Sequence, residues 1–231
     1  MQKPISIKFN YISIITLYMG MLNAYAYYNY NGFLISMQSG NLAKIGIYLY
    51  QLEFKMLFST LNIILGCLIG IILMHLINYF YYKDEDLCIY RNFCLILNII
   101  LLIVFSVFAN GISNDLGIFF LAMISSIHLY NVHNYYHAIH GVSAVSSNVK
   151  NLGIFIGDAI IMRKRRYIIV ALKYFILFML FSVGSYIGSF LCDYLGYYSI
   201  YIIISILIIL YIFIKKEDNT VSSKGKIIII N

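Results

Sequence analysis

Charged side chains are scarce in this sequence. Only 11% of the residues are charged, there is a single proline, and 62% are hydrophobic, with a mean hydropathy of +0.86. A water-soluble globule of 231 residues cannot bury that share of apolar side chains. The composition therefore excludes a soluble domain and indicates a protein embedded in a lipid bilayer.

Catalytic and metal-binding motifs are also missing. The sequence has no Gly-x-Ser-x-Gly element, no Walker loop and no pair of carboxylates at helical spacing within an apolar run. Its four cysteines lie in or beside apolar runs without paired spacing, which argues against a disulfide framework or a zinc motif. We therefore predict no enzyme activity and no cofactor. These cysteines are Cys67, Cys88, Cys94 and Cys192.

Apolar runs of membrane length are what the sequence has instead. A bilayer core of about 30 Å needs about 20 apolar residues for each helical span. The sequence predicts an all-α membrane helix bundle in a single domain, 1–231, with a polar tail over 215–231. The six predicted spans are about 11–30, 57–80, 87–109, 116–136, 167–191 and 196–214.

The lysines and arginines predict the orientation of this bundle. With the N-terminus in the cytoplasm, only Lys44 and Lys55 fall on the outer side, and the other basic residues fall inside. We therefore predict a multi-pass protein of the cell membrane, the bacterial inner membrane, with both termini cytoplasmic. The net charge of +7 then reflects orientation, and no nucleic-acid partner is predicted.

One stretch of the sequence is written twice. The segment SGNLAKIGIY at 39–48 recurs as SSNVKNLGIF at 146–155. Each copy follows one span and precedes two more, which predicts two three-helix repeats, about 11–109 and 116–214, with a short extra helix after spans one and four. An odd number of spans in each repeat makes the two repeats inverted, an arrangement that recurs in transporters.

Two features of the repeats are candidates for packing and for binding. Equivalent spans carry GxxxG, which lets another helix approach closely, either within the chain or in a homodimer. The helix starts Ser39-Gly40-Asn41 and Ser146-Ser147-Asn148 either cap short helices or hold an anion or carboxylate between them. The glycines of the GxxxG pairs are Gly66 with Gly70 and Gly184 with Gly188.

Histidines and asparagines complete the candidate polar residues. His133, His137 and His140 share one face if the helix continues that far, so His133 and His137 are weak metal candidates beside an ordinary interfacial role. Asn23 and Asn131 lie in predicted spans, where they either bond neighbouring helices or line a polar path.

Ser39-Gly40-Asn41 resembles an element of the YoaK-like family of six-span bacterial membrane proteins. Members of that family carry Thr-Gly-Asn after the first helix, with a weaker echo in the second half, and here Ser keeps the hydroxyl. Where the family often has an acidic residue in the first span, this sequence has Asn23. The resemblance covers about 11–213 and implies a six-span architecture without a known activity.

The sequence leaves three functions open. The first is a small transporter for a small polar or anionic solute that binds near Asn23, Asn131 and the two helix starts. The second is a non-transporting accessory protein that binds lipid or a partner subunit through its GxxxG faces. The third is a histidine-dependent membrane metal or redox protein.

Overall fold

The computed structural model describes residues 5–81, 87–136 and 145–228, and their side chains over 9–81, 89–130 and 149–216. These residues form helices joined by short connections, with no strand among them. The all-α prediction is therefore confirmed. The helices are α1 (Ile5–Asn29), α2 (Gln38–Gln51), α3 (Phe54–Tyr81), α4 (Leu87–Phe108), α5 (Asn114–Tyr136), α6 (Val145–Met162), α7 (Arg165–Leu195) and α8 (Ser199–Ile228).

Within the described residues, three helical stretches are long and apolar enough to cross a membrane. They are Phe54–Tyr81, Ile89–Phe108 and Arg165–Lys216. The third stretch spans 52 residues and contains α7 and the first part of α8, which meet at a 3₁₀ turn over Gly196–Tyr198. Gly196 has φ +54°, a left-handed conformation that glycine adopts without strain. The chain is thus compatible with a membrane protein.

The helices α1 and α5 lie inside the bundle. Almost every described side chain of α1 from Tyr11 to Ala26 is buried or half-buried, and so are those of α5 from Gly117 to Tyr130, apart from Phe120. Because these helices are surrounded by protein, they can carry buried polar side chains such as Thr16, Ser125 and Ser126.

Contacts at both ends of each helix fix the relative directions of α1 and α7. Lys173 Nζ lies 5.5 Å from the centroid of the Phe9 ring near the starts of the two helices. Near their ends, Asn29 Nδ2 donates to Cys192 Sγ at 3.7 Å. The two helices are therefore parallel, and we call the end at which α1 begins the N-terminal end of the bundle.

The helices α3 and α5 are parallel to each other in the same way. Ser59 Oγ donates to Asp115 Oδ1 near the two starts, and His75 Nδ1 and Tyr130 Oη are 3.0 Å apart near the two ends. α5 runs against α1, because the Tyr30 ring, beyond the end of α1, lies at Gly117 near the start of α5. A parallel pair, α1 with α7, thus lies beside a second parallel pair of opposite direction.

The remaining long helices, α4 and α8, also run in opposite directions. α4 follows α1, since the Arg91 guanidinium lies 5.9 Å from the Tyr11 ring centroid and Tyr30 Oη donates to the Ala109 carbonyl at 2.9 Å. α8 starts beside Cys192, whose Sγ is 3.2 Å from Ser199 Oγ, and returns towards the N-terminal end of the bundle. The six long helices therefore alternate in direction along the chain.

The glycine pairs lie where neighbouring helices approach closely. A Cβ on Gly184 would overlap the backbone oxygen of Leu17, and a Cβ on Gly66 would overlap that of Phe119. The α1 residues that a Cβ on Gly184 or Gly188 would contact have the same spacing as the α5 residues that a Cβ on Gly66 or Gly70 would contact. They are Leu17, Met21 and Ala24 on α1, and Phe119, Met123 and Ser126 on α5.

Several helix boundaries differ from the predicted ones. The short helix after span one begins at Gln38, one residue before the predicted start at Ser39, and ends at Gln51. α8 continues to Ile228, past the predicted end of span six near residue 214, so the segment 215–228 is helical. Polar side chains end the hydropathy signal at that point, but they do not prevent the backbone of an existing helix from continuing.

Candidate functional site

A short non-helical segment, residues 33–37, lies buried between α1 and α2. The chain turns at Asn31 and Gly32, which have φ of 54° and 73°, as the sequence predicts for this Asn-Gly pair. It then turns back so that Phe33 is 1% exposed and Ile35 is fully buried. We call residues 33–37 the re-entrant segment.

Asn23 holds the re-entrant segment against α1. Its Nδ2 donates to Ser36 Oγ at 2.8 Å and to the Met19 carbonyl at 2.8 Å, while the Ser36 N–H donates to Asn23 Oδ1 at 3.2 Å. Asn23 lies about 10 Å along the helix from Tyr30, at 1.5 Å per residue. The re-entrant segment therefore reaches well inside the bundle.

Asn41 and Gln38 hold the same segment from the other side. Asn41 Nδ2 donates to the Leu34 carbonyl at 3.1 Å, and Gln38 Nε2 donates to the Ile35 carbonyl at 3.0 Å. Together with Asn23, these amides supply hydrogen bonds that the non-helical backbone needs in an apolar interior.

The first of the two expectations for Ser39-Gly40-Asn41, that they cap the short helix, is wrong for α2. Met37 occupies the N-cap of α2 and makes no side-chain cap hydrogen bond, and the three residues lie inside the first turn. Asn41 is 2% exposed and uses its amide on the re-entrant segment, whereas Ser39 and Gly40 are exposed. Asn41 reaches back to Leu34, so its bonding partner precedes the helix.

The second copy of the stretch also lies on a helix. Ser146, Ser147 and Asn148 belong to α6, whose described part begins at Val145. The side chains of these three residues lie outside the described part of the structure, as does that of Asn131.

The three histidines predicted to share one face lie largely outside the described part of the structure. His133 is on α5, but its side chain is not described, and neither is any part of His137 or His140. In the part of the chain that the structure describes, no three His, Cys, Asp or Glu residues come close enough to hold a metal ion.

Three buried polar residues inside the bundle escaped the sequence analysis. Tyr18, Arg91 and His128 are fully buried. Arg91 donates through its guanidinium to Asn92 Oδ1 at 3.1 and 3.3 Å and lies over the Tyr11 ring. Their sequence signals are weak, since Arg91 resembles a loop charge and His128 lies off the face shared by His133, His137 and His140.

Two apolar grooves flank the inner helices. A groove of about 700 Å³ separates the end of α4 from the start of α5, and one of about 380 Å³ separates the end of α8 from the start of α1. Four of the five α4 residues that line the first groove have the same spacing as the four α8 residues that line the second, and Val107 is the additional one. The matching residues are Leu101, Val104, Phe105 and Phe108 on α4, and Ile206, Ile209, Leu210 and Phe213 on α8.

Comparison with known proteins gives one family. A family model described as "Protein of unknown function (DUF1275)" matches residues 12–213. No curated protein and no solved structure matches the chain. The expected membership in an uncharacterised family is thereby confirmed.

Proposed function

The chain belongs to the DUF1275 family of unknown function, and we propose that it is a six-span, inverted-repeat permease for a small polar or anionic solute. Its six spans are α1, α3, α4, α5, α7 and α8, with α2 and α6 as the short extra helices. The re-entrant segment is the observation that carries this proposal.

The directions of the helices support an inverted repeat. Each helix of the first half runs against its counterpart in the second half, α1 against α5, α3 against α7 and α4 against α8. Most helix contacts also have a counterpart in the other half. The contact of α1 with α7 corresponds to that of α5 with α3, and the contact of α2 with α3 corresponds to that of α6 with α7. The matched spacing of the glycine contacts and of the two grooves agrees with that relation.

The re-entrant segment supports a binding site near the middle of the bilayer. Non-helical backbone is tolerated at membrane depth only where protein buries it or where it lines a cavity. Inverted-repeat transporters place broken helices at such sites, where a helix start favours an anionic group. In this chain α2 starts directly after the re-entrant segment, and its exposed Ser39 and Gly40 leave backbone N–H groups available to a solute.

The residues of this site have separate roles in the proposal. Asn23 and Asn41 position the re-entrant segment, because their amides already bond it. Ser39 and Gly40 would contact the solute from one half of the protein. Asn131 and the α6 start at Ser146, Ser147 and Asn148 would do so from the other half.

The distribution of basic residues supports cytoplasmic termini in the cell membrane. Arg91, Lys173 and the run 163–166 belong to the N-terminal end of the bundle, where α4 and α7 begin. Lys44 and Lys55 belong to the opposite end. Because basic residues favour the cytoplasmic side, the N-terminal end would be cytoplasmic.

Solute uptake into proteoliposomes tests the transport function. The probes are radiolabelled carboxylates, amino acids and polyols, and uptake is compared with that of empty liposomes. We expect Asn41→Ala to abolish the uptake seen with the wild type, because the re-entrant segment loses its bond at Leu34. Asn62→Ala is the matched control, since the Asn62 amide makes no hydrogen bond within the described residues. Uptake unchanged in Asn41→Ala, or equal to that of empty liposomes for every probe, would contradict the proposal.

The accessory-protein alternative draws support from the two apolar grooves, which could hold lipid acyl chains. The glycine faces are occupied within the chain, by α5 at Gly66 and Gly70 and by α1 at Gly184 and Gly188. A partner subunit, or a second copy in a homodimer, would therefore have to use other surfaces.

A further inference from the structure

Tyr18 of α1 and His128 of α5 lie against each other inside the bundle. Their ring centroids are 5.1 Å apart in an edge-to-face arrangement, and both residues are fully buried. Neither the Tyr18 hydroxyl nor either ring nitrogen of His128 has a hydrogen-bond partner among the described residues. An edge-to-face contact can weakly satisfy one ring N–H at most. Since buried polar groups are almost always paired, these two side chains have hydrogen-bonding capacity that no described residue uses.

A third unused polar atom lies at the same height. Asn98 on α4 is fully buried, and its Oδ1 has no partner within the described residues, although its Nδ2 donates to the Cys94 carbonyl at 3.3 Å. α4 runs parallel to α1, with Arg91 beside Tyr11. Asn98 follows Arg91 by as many residues as Tyr18 follows Tyr11. The two side chains therefore lie at one level of the bundle.

We infer that Tyr18 and His128 form a binding site for an uncharged polar group, such as an alcohol or an amide, with Asn98 on α4 at a similar height along the bundle. The phenol donates, the neutral imidazole offers one donor and one acceptor, and the Asn98 oxygen accepts. The nearest described charge on α4 is Arg91, two helical turns away, and an unpaired charge in an apolar interior is costly. This inference rests on the proposed function, because it assigns part of the solute's binding site.

Cysteine accessibility tests the site without knowledge of the solute. His128→Cys is compared with Leu121→Cys, a fully buried position two turns away on the same face of α5, in a background without native cysteines. The probe is methyl methanethiosulfonate, which is small and uncharged. The thiolate is the reacting species and needs a polar environment. We therefore expect His128→Cys to react at least about 10-fold faster than Leu121→Cys. Equal rates would overturn the site.

A charged probe and a stability measurement complete the test. An anionic methanethiosulfonate that labels His128→Cys as fast as the neutral reagent would overturn the assignment to an uncharged group. Tyr18→Phe removes only the hydroxyl, and we expect an unchanged or higher melting temperature in detergent, because no protein bond is lost. A clear decrease would mean that the hydroxyl has a structural partner, and would also overturn the assignment. Labelling does not depend on transport, so a protein that labels as expected but moves no solute would contradict only the proposed function.

Discussion

Buried polar side chains of α1 are used in two different ways. Asn23 makes three hydrogen bonds to protein groups, two of them to Ser36 in the re-entrant segment. Tyr18, less than two turns earlier, leaves its hydroxyl unpaired within the described structure. The first residue therefore fixes the backbone, whereas the second is available to a ligand.

Asn23→Ala tests the structural use of a polar side chain. The substitution leaves the Ser36 N–H and hydroxyl without their partner in a buried setting, so we expect the free energy of unfolding to fall by about 1–3 kcal/mol. Denaturant unfolding in detergent measures this loss.

The control for Asn23→Ala is Asn62→Ala, which deletes the same chemical group at a half-buried position on α3. We expect it to change the unfolding free energy by about 0.5 kcal/mol or less, as substitutions away from special features usually do. A similar loss in both variants would show that the bonds of Asn23 to Ser36 contribute little.

At the scale of helices, close packing depends on glycines that have no room for a side chain. Gly184 and Gly188 bring α7 onto α1, and Gly66 and Gly70 bring α3 onto α5. Ser185 Oγ adds a hydrogen bond to the Gly20 carbonyl at 3.2 Å across the first of these contacts. Backbone packing of this kind holds helices together where lipid removes the hydrophobic driving force.

Gly184→Ala tests the α1–α7 contact. The added methyl group would overlap backbone atoms of Leu17, which can only move together with the helix. We expect a loss of about 1–3 kcal/mol of stability, the usual range for overpacking. Melting in detergent, followed by helical circular dichroism, would show it.

Gly153→Ala on α6 is the matched control for Gly184→Ala. No atom lies within 4 Å of a Cβ at Gly153, and alanine has a higher helix propensity than glycine by about 1 kcal/mol. We expect this variant to be as stable as the wild type or slightly more so. If Gly184→Ala behaved in the same way, the contact would be looser than the structure indicates.

At the scale of the whole molecule, the two halves place their short helices at opposite ends. The segment that leads into α2 follows the end of α1, whereas α6 stacks Phe155 on Tyr174, in the first part of α7, at 5.5 Å. The polar turns after these helices therefore also lie at opposite ends. This is the arrangement that an inverted repeat requires.

Labelling from one side of the membrane tests that arrangement. Glu53→Cys lies in the exposed turn after α2 and Lys164→Cys in the exposed turn after α6. With a membrane-impermeant maleimide on intact cells, we expect Glu53→Cys to react and Lys164→Cys to react only after permeabilisation, because basic loops face the cytoplasm. Reaction of both from the same side would rule out the inverted repeat.

Much of the architecture was predictable, because lipid imposes helices of a minimum length and local patterns mark their ends. The Asn31-Gly32 turn follows from the local conformational preferences of its two residues, and helices were expected after spans one and four, where α2 and α6 lie. The site was harder to predict. Asn23 and Asn41 were identified as polar candidates, but their common partner, the re-entrant segment, has no sequence signal, because its burial depends on the helices around it.

The sequence by itself determined that the chain is helical and apolar enough for a membrane, since both properties follow from which residues the chain contains and in what order. Only the tertiary structure decided which polar groups are satisfied. Asn23 meets Ser36, whereas Tyr18 meets the ring of His128 and no hydrogen-bond partner in the described residues. Side chains from distant helices meet only when the bundle closes, so no local pattern could distinguish an asparagine that holds the backbone from a histidine that is left for a ligand.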